Sequence, residues 1–234
     1  MTGMPPLFLP QFKTYRVIPS HFPPIPLYES IYDTNEELEL AFEIEAMTND
    51  RLLDEAGDIA LVKPEHRLVG PGCSPVMAAF THIGFGSRFA TEEFGAYYAA
   101  NSLEAAVAET VFHRERYLRN ANEDPIELTM RCYTGNVTLP LHDIRGPEYV
   151  HLHGEDPATS YPDTQAFAQK LHADDSNGLL YNSVRAPGYE CIAAFKPISV
   201  TSTLQGPHLK YIFDGERISH WYEAGKLHET PRRS

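Results

Sequence analysis

Residues 86–113, GSRFATEEFGAYYAANSLEAAVAETVFH, constrain the fold more than any other stretch of the chain. A polar turn holding Arg88 leads into a short apolar strand that ends in Tyr97 and Tyr98. A helix follows, opened by Ser102, and it carries Glu109 and His113 one turn apart. Turn, strand and helix in direct succession bring a cation, an aromatic face and a carboxylate close together on rigid elements. A guanidinium pairs with phosphate at two points, and a tyrosine stacks on a planar heterocycle. A carboxylate can hold a ribose or stabilise positive charge developing on its anomeric carbon. The set suits a dinucleotide, and spacing alone names no reaction.

The surroundings sharpen two of these positions. In an extended segment Tyr97 and Tyr98 point to opposite faces, so one enters the core and the other a cleft. Glu109 lies between Ala105-Ala-Val-Ala108 and Thr110-Val-Phe112. A carboxylate in so apolar a stretch either points outward or has a dedicated task, because burying it unpaired is costly. His113 stands where it could pair with Glu109. Gly84 and Gly86 precede Arg88 and allow close approach of the backbone to a ligand.

Composition narrows the functional classes. With 234 residues and 42% apolar content the chain can bury a core, and it reads as one domain over 1–234. A net charge of −13 argues against direct nucleic-acid binding, which needs clustered Lys and Arg. No apolar run is long enough to span a membrane, and residues 1–10 lack a signal-peptide pattern, so a cytoplasmic location is expected. Cys73, Cys132 and Cys191 are far apart and lack zinc-ligand spacing, which predicts buried thiols in a reducing compartment. His142, Asp143, His151, His153 and Asp156 form the one rival cluster. The loop carrying them offers no Cys or further His at ligand spacing, so no metal is expected. Ser183 lacks a nucleophile-elbow context, which argues against serine hydrolase chemistry.

Hydrophobic periodicity sets out the rest. Prolines extend the first thirty residues apart from a strand at 13–18. Thr34-x-x-Glu37 is a capping box before the apolar face Leu38, Ala41, Phe42 and Met47. A second helical piece at 51–56 ends at Gly57, and Ser74-Pro75 opens a third, so about 30–82 reads as a helical insertion. Ile126, Leu128, Met130 and Cys132 alternate with polar residues as in a half-wet strand, and Val137, Leu139 and Leu141 repeat the pattern. Residues 145–160 read as a polar loop and 163–173 as a short helix. Strands at 209–213 and 216–222 flank Asp214-Gly215, a two-residue hairpin turn. The fold class is α+β with a mostly antiparallel sheet.

Several separated motifs now fall in order. Gly86-x-Arg88, then Ala96-Tyr-Tyr-Ala-Ala100, then Ser102-Leu-Glu-Ala-Ala-Val-Ala-Glu109, then Gly178-Leu-Leu-Tyr-Asn-Ser183-Val-Arg185 and Cys191-Ile-Ala-Ala-Phe-Lys-Pro197 resemble the RES domain. Tyr15-Arg16-Val17 is similar to that family's opening strand. The family comprises toxins of bacterial RES–Xre toxin–antitoxin pairs and is named for an Arg, a Glu and a Ser. The resemblance implies an ADP-ribosyltransferase-like fold and NAD as substrate. It implies Arg88 and Arg16 on the pyrophosphate or ribose, Tyr98 on nicotinamide, Glu109 stabilising the ribosyl cation, and Ser183 bonded to Glu109 or the ribose. It also implies a small Xre/ParS-like antitoxin, encoded nearby, that forms a hetero-oligomer with the chain. Phe89-Ala90 departs from the family's Phe-Asn or Trp-Asn. The long insertion is similar to the subgroup (ParT-like) that ADP-ribosylates a cellular protein. Transfer to phosphate or water and a catalytically silent binding module stay open as alternatives, and so does a metal-dependent hydrolase built on the histidine loop. Roles for His113 and Arg185 stay open too.

Overall fold

The strands at the centre of the molecule are apolar on both faces, and each face is covered by helix. The computed structural model of the protein describes residues 3–20, 57–84 and 86–225. The capping box at Thr34 and the helical pieces at 34–47 and 51–56 lie outside them. Nine strands form one sheet. In spatial order these are β1 (Leu7–Phe8), β5 (Leu141–Asp143), β6 (Gly178–Asn182), β7 (Glu190–Ala194), β3 (Tyr97–Ala100), β2 (Lys13–Pro19), β4 (Ile126–Asn136), β8 (Leu204–Phe213) and β9 (Ile218–Glu223). Only β5 and β6 run parallel; every other neighbouring pair is antiparallel.

Period two decides which side chain meets which layer. Leu179, Tyr181, Cys191, Ala193 and Ala100 join the core beneath helices α2 (Leu103–Ala121) and α3 (Pro157–Ala173). Leu180, Ile192, Ala194, Tyr97 and Ala99 face the opposite core, with Val76, Met77 and Phe80 of helix α1 (Ser74–Thr81). Gly95 lets α1 pack close to this strand entry, since a Cβ there would sit 2.1 Å from the Ala79 carbonyl oxygen. All three cysteines are free and buried.

Local chemistry explains the helix ends. Ser102 accepts a hydrogen bond from Ala105 N at 3.1 Å, and α2 stops at Asn122 in the left-handed region with φ 52°. Pro75 stands in the first turn of α1, where its missing N–H costs nothing. Helix α3 begins six residues before the expected start at 163, because Asp156 caps it by accepting from Ala158 N. Pro162 lies inside the helix. It removes one bond only, and burial of Thr164, Ala168 and Leu171 outweighs that loss.

Other boundaries also moved. The strand expected to end at Tyr97 and Tyr98 begins there, since Tyr97 to Ala100 pair with Ala194 to Cys191. The loop expected at 145–160 holds a 3-10 helix, Pro147–His153, and the start of α3. The second alternating strand is reduced to β5, while Val137 makes an isolated bridge to Val200. The hairpin is present, but its loop has four residues, 214–217, between Phe213 and Ile218. Asp214 closes it by accepting from Glu216 N and Arg217 N through Oδ1. The described part of the insertion contains two 3-10 turns, Ile59–Leu61 and Pro64–His66, and α1.

Candidate active site

Helix α2 turns a narrow polar stripe towards the sheet. Ala106, Glu109, Thr110, His113 and Arg114 recur at helical spacing and line a cavity of about 310 Å³. Strand β2, the 86–90 turn and Tyr98 form its other walls, with Tyr161 of α3 and Arg185 of the loop after β6.

Glu109 is gripped through one oxygen. Its Oε1 accepts from Ser183 Oγ at 2.7 Å, from Val184 N at 3.2 Å and from Arg185 N at 3.3 Å. No described residue bonds Oε2. Ser183 itself is 6% exposed, sits just past the end of β6, and accepts from Ala186 N at 3.0 Å. The loop therefore wraps a carboxylate supplied by a helix 74 residues earlier in the chain. This arrangement fixes the side chain's rotamer while leaving one oxygen for a ligand.

Tyr98 faces the cavity and Tyr97 the core, where Tyr97 is fully buried. The Tyr98 hydroxyl accepts from Phe89 N at 2.9 Å and shares a 2.8 Å hydrogen bond with Ser87 Oγ. Burial pushes its pKa up to about 12, so it stays a neutral phenol. The ring is thus locked to the turn that carries Arg88.

Arg88 is 7% exposed, and its fork already has partners. It donates to the carbonyl oxygens of Leu152 at 3.2 Å and Gly154 at 2.9 Å, and lies 5.4 Å from the ring centre of Tyr161. The two carbonyls take one N–H each, so Arg88 braces the 152–154 loop as well as lining the cavity. Gly86 makes room for a protein side chain here. A Cβ at Gly86 would meet Gln165 Nε2 at 2.8 Å, and Gln165 donates to the Ser87 carbonyl. The unusual Phe89-Ala90 pair is core: both are buried, and Phe89 packs edge-on against Tyr181 at 5.0 Å.

Arg16 reaches the cavity from the other side of the sheet. Strands β2 and β3 pair at a single position, Tyr15 with Ala100, and the Arg16 guanidinium fills the gap between them. It stacks 4.7 Å over Tyr97 and donates to the Tyr98 carbonyl oxygen at 3.1 Å, while its buried Nε has no partner among the described residues. Desolvation lowers its pKa.

Among the described residues His113 makes no hydrogen bond to Glu109, whose Oε1 belongs to the Ser183 loop; His113 sits exposed at the rim. The histidine cluster does not converge. His142 Nδ1 bonds the Pro5 carbonyl at 2.8 Å, whereas His153 bonds the Tyr149 carbonyl and accepts from Asn182 N. No three His, Cys, Asp or Glu side chains among the described residues gather as metal ligands.

The chain's sequence singled out neither Arg114 nor Tyr161. Extending the stripe of α2 by one residue beyond His113 reaches Arg114, and Arg185 follows Ser183 by two. Arg185 stacks 3.4 Å over Phe112 and donates to the Glu155 carbonyl oxygen. Arg16, Arg88, Arg114 and Arg185 thus surround a cavity whose only carboxylate among the described residues is Glu109, within a chain of net charge −13. Such a reversal of sign focuses anionic ligands into the cleft.

An α+β domain with an arginine-lined cleft and one tethered carboxylate has a site whose charge suits an anionic ligand. The chain belongs to the RES domain family, whose model matches residues 64–214. It is 28% identical over 222 residues to the uncharacterized protein y4oC of Sinorhizobium fredii (strain NBRC 101917 / NGR234), covering 89% of this chain and 86% of that protein. A distant likeness, with a TM-score of 0.42 and 15% identity over 86% of each chain, is to the crystal structure of the M. tuberculosis MbcT-MbcA toxin-antitoxin complex. No described helix is long and apolar enough to cross a membrane.

Proposed function

We propose that this chain is the toxin of a toxin–antitoxin pair, and that it breaks the nicotinamide–ribose bond of NAD and passes ADP-ribose to a protein acceptor. One observation carries the reading. Glu109 is held through Oε1 by Ser183 Oγ and the N–H groups of Val184 and Arg185, beside four arginines in one cavity. As the bond stretches, its electron pair goes to the nicotinamide nitrogen, which leaves as a neutral amide. Positive charge then develops on the ribose, and the free Glu109 oxygen faces the space such a ring would occupy. Tyr98, fixed by Ser87 and Phe89, offers its ring to nicotinamide. Ser183 positions the carboxylate. No metal enters this chemistry as proposed.

The acceptor completes the reaction. A protein nucleophile captures the ribosyl carbon in transfer, and phosphate or water would do so in phosphorolysis or hydrolysis. The long segment before residue 86, similar to that of the protein-modifying subgroup, favours a protein acceptor. Restraint would come from an antitoxin of the Xre/ParS-like kind. The chain's acidity places any operator binding on that partner.

The test is nicotinamide release from NAD, with and without chelator, by wild type and Glu109→Gln. Gln keeps the shape and loses the charge, so turnover should fall on the order of a hundredfold while NAD binding persists. Equal turnover in the variant refutes the role of Glu109. No release by the wild type leaves a binding module, and release abolished by chelator points to metal chemistry. Label from adenine-labelled NAD should remain on protein; free ADP-ribose or its phosphate ester would identify water or phosphate as acceptor.

A further inference from the structure

Beyond Glu109 the cleft continues along α2. Arg114 lies five residues further on, about 7.5 Å along the helix axis, close to the reach of a ribose 5′-phosphate. There the Glu109 cavity meets a second one of about 450 Å³, and Pro19, Arg114 and Met130 line both. Ser20, Glu127, Leu128 and Thr129 complete the second wall.

Two polar groups at this junction lack partners. Among the described residues Arg114 makes no hydrogen bond or ion pair, and burial lowers its pKa with only the tyrosines Tyr117 and Tyr211 opposing. Ser20 Oγ is buried and bonds no described residue. Neighbouring groups are by contrast committed. Glu127, at the rim, accepts from Lys210 Nζ at 2.6 Å and from Tyr222 OH at 2.9 Å, and Lys210 also donates to Thr129 Oγ1. An unpaired, half-desolvated cation beside an unbonded hydroxyl is costly in the free protein and is resolved by an anionic, hydrogen-bonding ligand.

We propose that the second cavity is a nucleoside-phosphate subsite, with Arg114 on the pyrophosphate and Ser20 Oγ on the distal nucleoside. This subsite rests on the NAD reading above, whose nicotinamide half it complements. Arg88 and Arg16 already bond protein carbonyls, so Arg114 is the cleft guanidinium with its whole fork free for phosphate.

The probes are AMP, for the second cavity, and nicotinamide riboside, which carries no phosphate, for the first. Calorimetric titration of wild type should detect AMP binding. Arg114→Gln should weaken AMP and NAD at least about tenfold, the minimum for one charge-assisted contact. It should weaken nicotinamide riboside far less than AMP. Ser20→Leu, which fills the cavity from the opposite wall, should abolish AMP binding independently. AMP binding indifferent to both variants, or absent in wild type, overturns the subsite even if NAD is turned over. Arg114-dependent AMP binding in a protein that neither binds nicotinamide riboside nor releases nicotinamide keeps the subsite and removes the NAD reading.

Discussion

Ser183→Ala tests whether the Glu109 tether is what prepares the cleft. The hydroxyl makes two bonds, donating to Glu109 Oε1 at 2.7 Å and accepting from Ala186 N at 3.0 Å. The first is charge-assisted and contributes about 1.5–3 kcal/mol, and the second about 1 kcal/mol. Glu109 is only half-buried and keeps the N–H groups of Val184 and Arg185, so part of the first contribution survives through water and the remaining donors. A net loss of about 2–3 kcal/mol follows, which lowers the melting temperature by about 4–12 °C in a domain of this size. Turnover should fall about 10- to 100-fold with little change in KM, because a carboxylate displaced by even about 1 Å loses much of its effect on the transition state. Thermal unfolding followed by circular dichroism and single-turnover nicotinamide release measure the two effects. A variant that melts with wild type and turns over at the wild-type rate refutes the tether.

Arg88→Lys can keep only one of the bonds to Leu152 O and Gly154 O, so it should destabilise the protein by about 1.5–3 kcal/mol and weaken NAD binding as the 152–154 loop loosens. Unchanged melting would show that the fork does not brace the loop. His153 is neutral in its network, since Nε2 accepts from Asn182 N while Nδ1 bonds Tyr149 O, and burial lowers its pKa. A base with a lowered folded pKa contributes stability that is present above its unfolded value of about 6.5 and is lost as pH falls through the folded one. Melting temperature should therefore fall more steeply from about pH 7.5 to about pH 5 in wild type than in His153→Gln, and equal slopes would refute the assignment.

Much of the architecture follows from spacing along the chain. Ser102 opens α2 and Glu109 falls on its inner stripe because capping and helical period are relations among residues three or four apart. Tyr97 and Tyr98 separate to opposite faces because strand period is two. The alternation from Ile126 likewise marks β4. Tertiary structure decided the rest. Arg88 reads from sequence as a free turn residue, yet its fork closes on carbonyls 64 and 66 residues later. Residues 157–162 give no helical reading, yet packing of α3 on the sheet carries the helix through Pro162. Arg16 reads as a cleft contact, but strand alternation places it on the Tyr97 side, and the single pairing of β2 with β3 lets it reach across. Arg114 lacks any motif of its own. Its place follows from which helix face meets β2 and β4, a relation set by the order of strands in the sheet and not by neighbours along the chain.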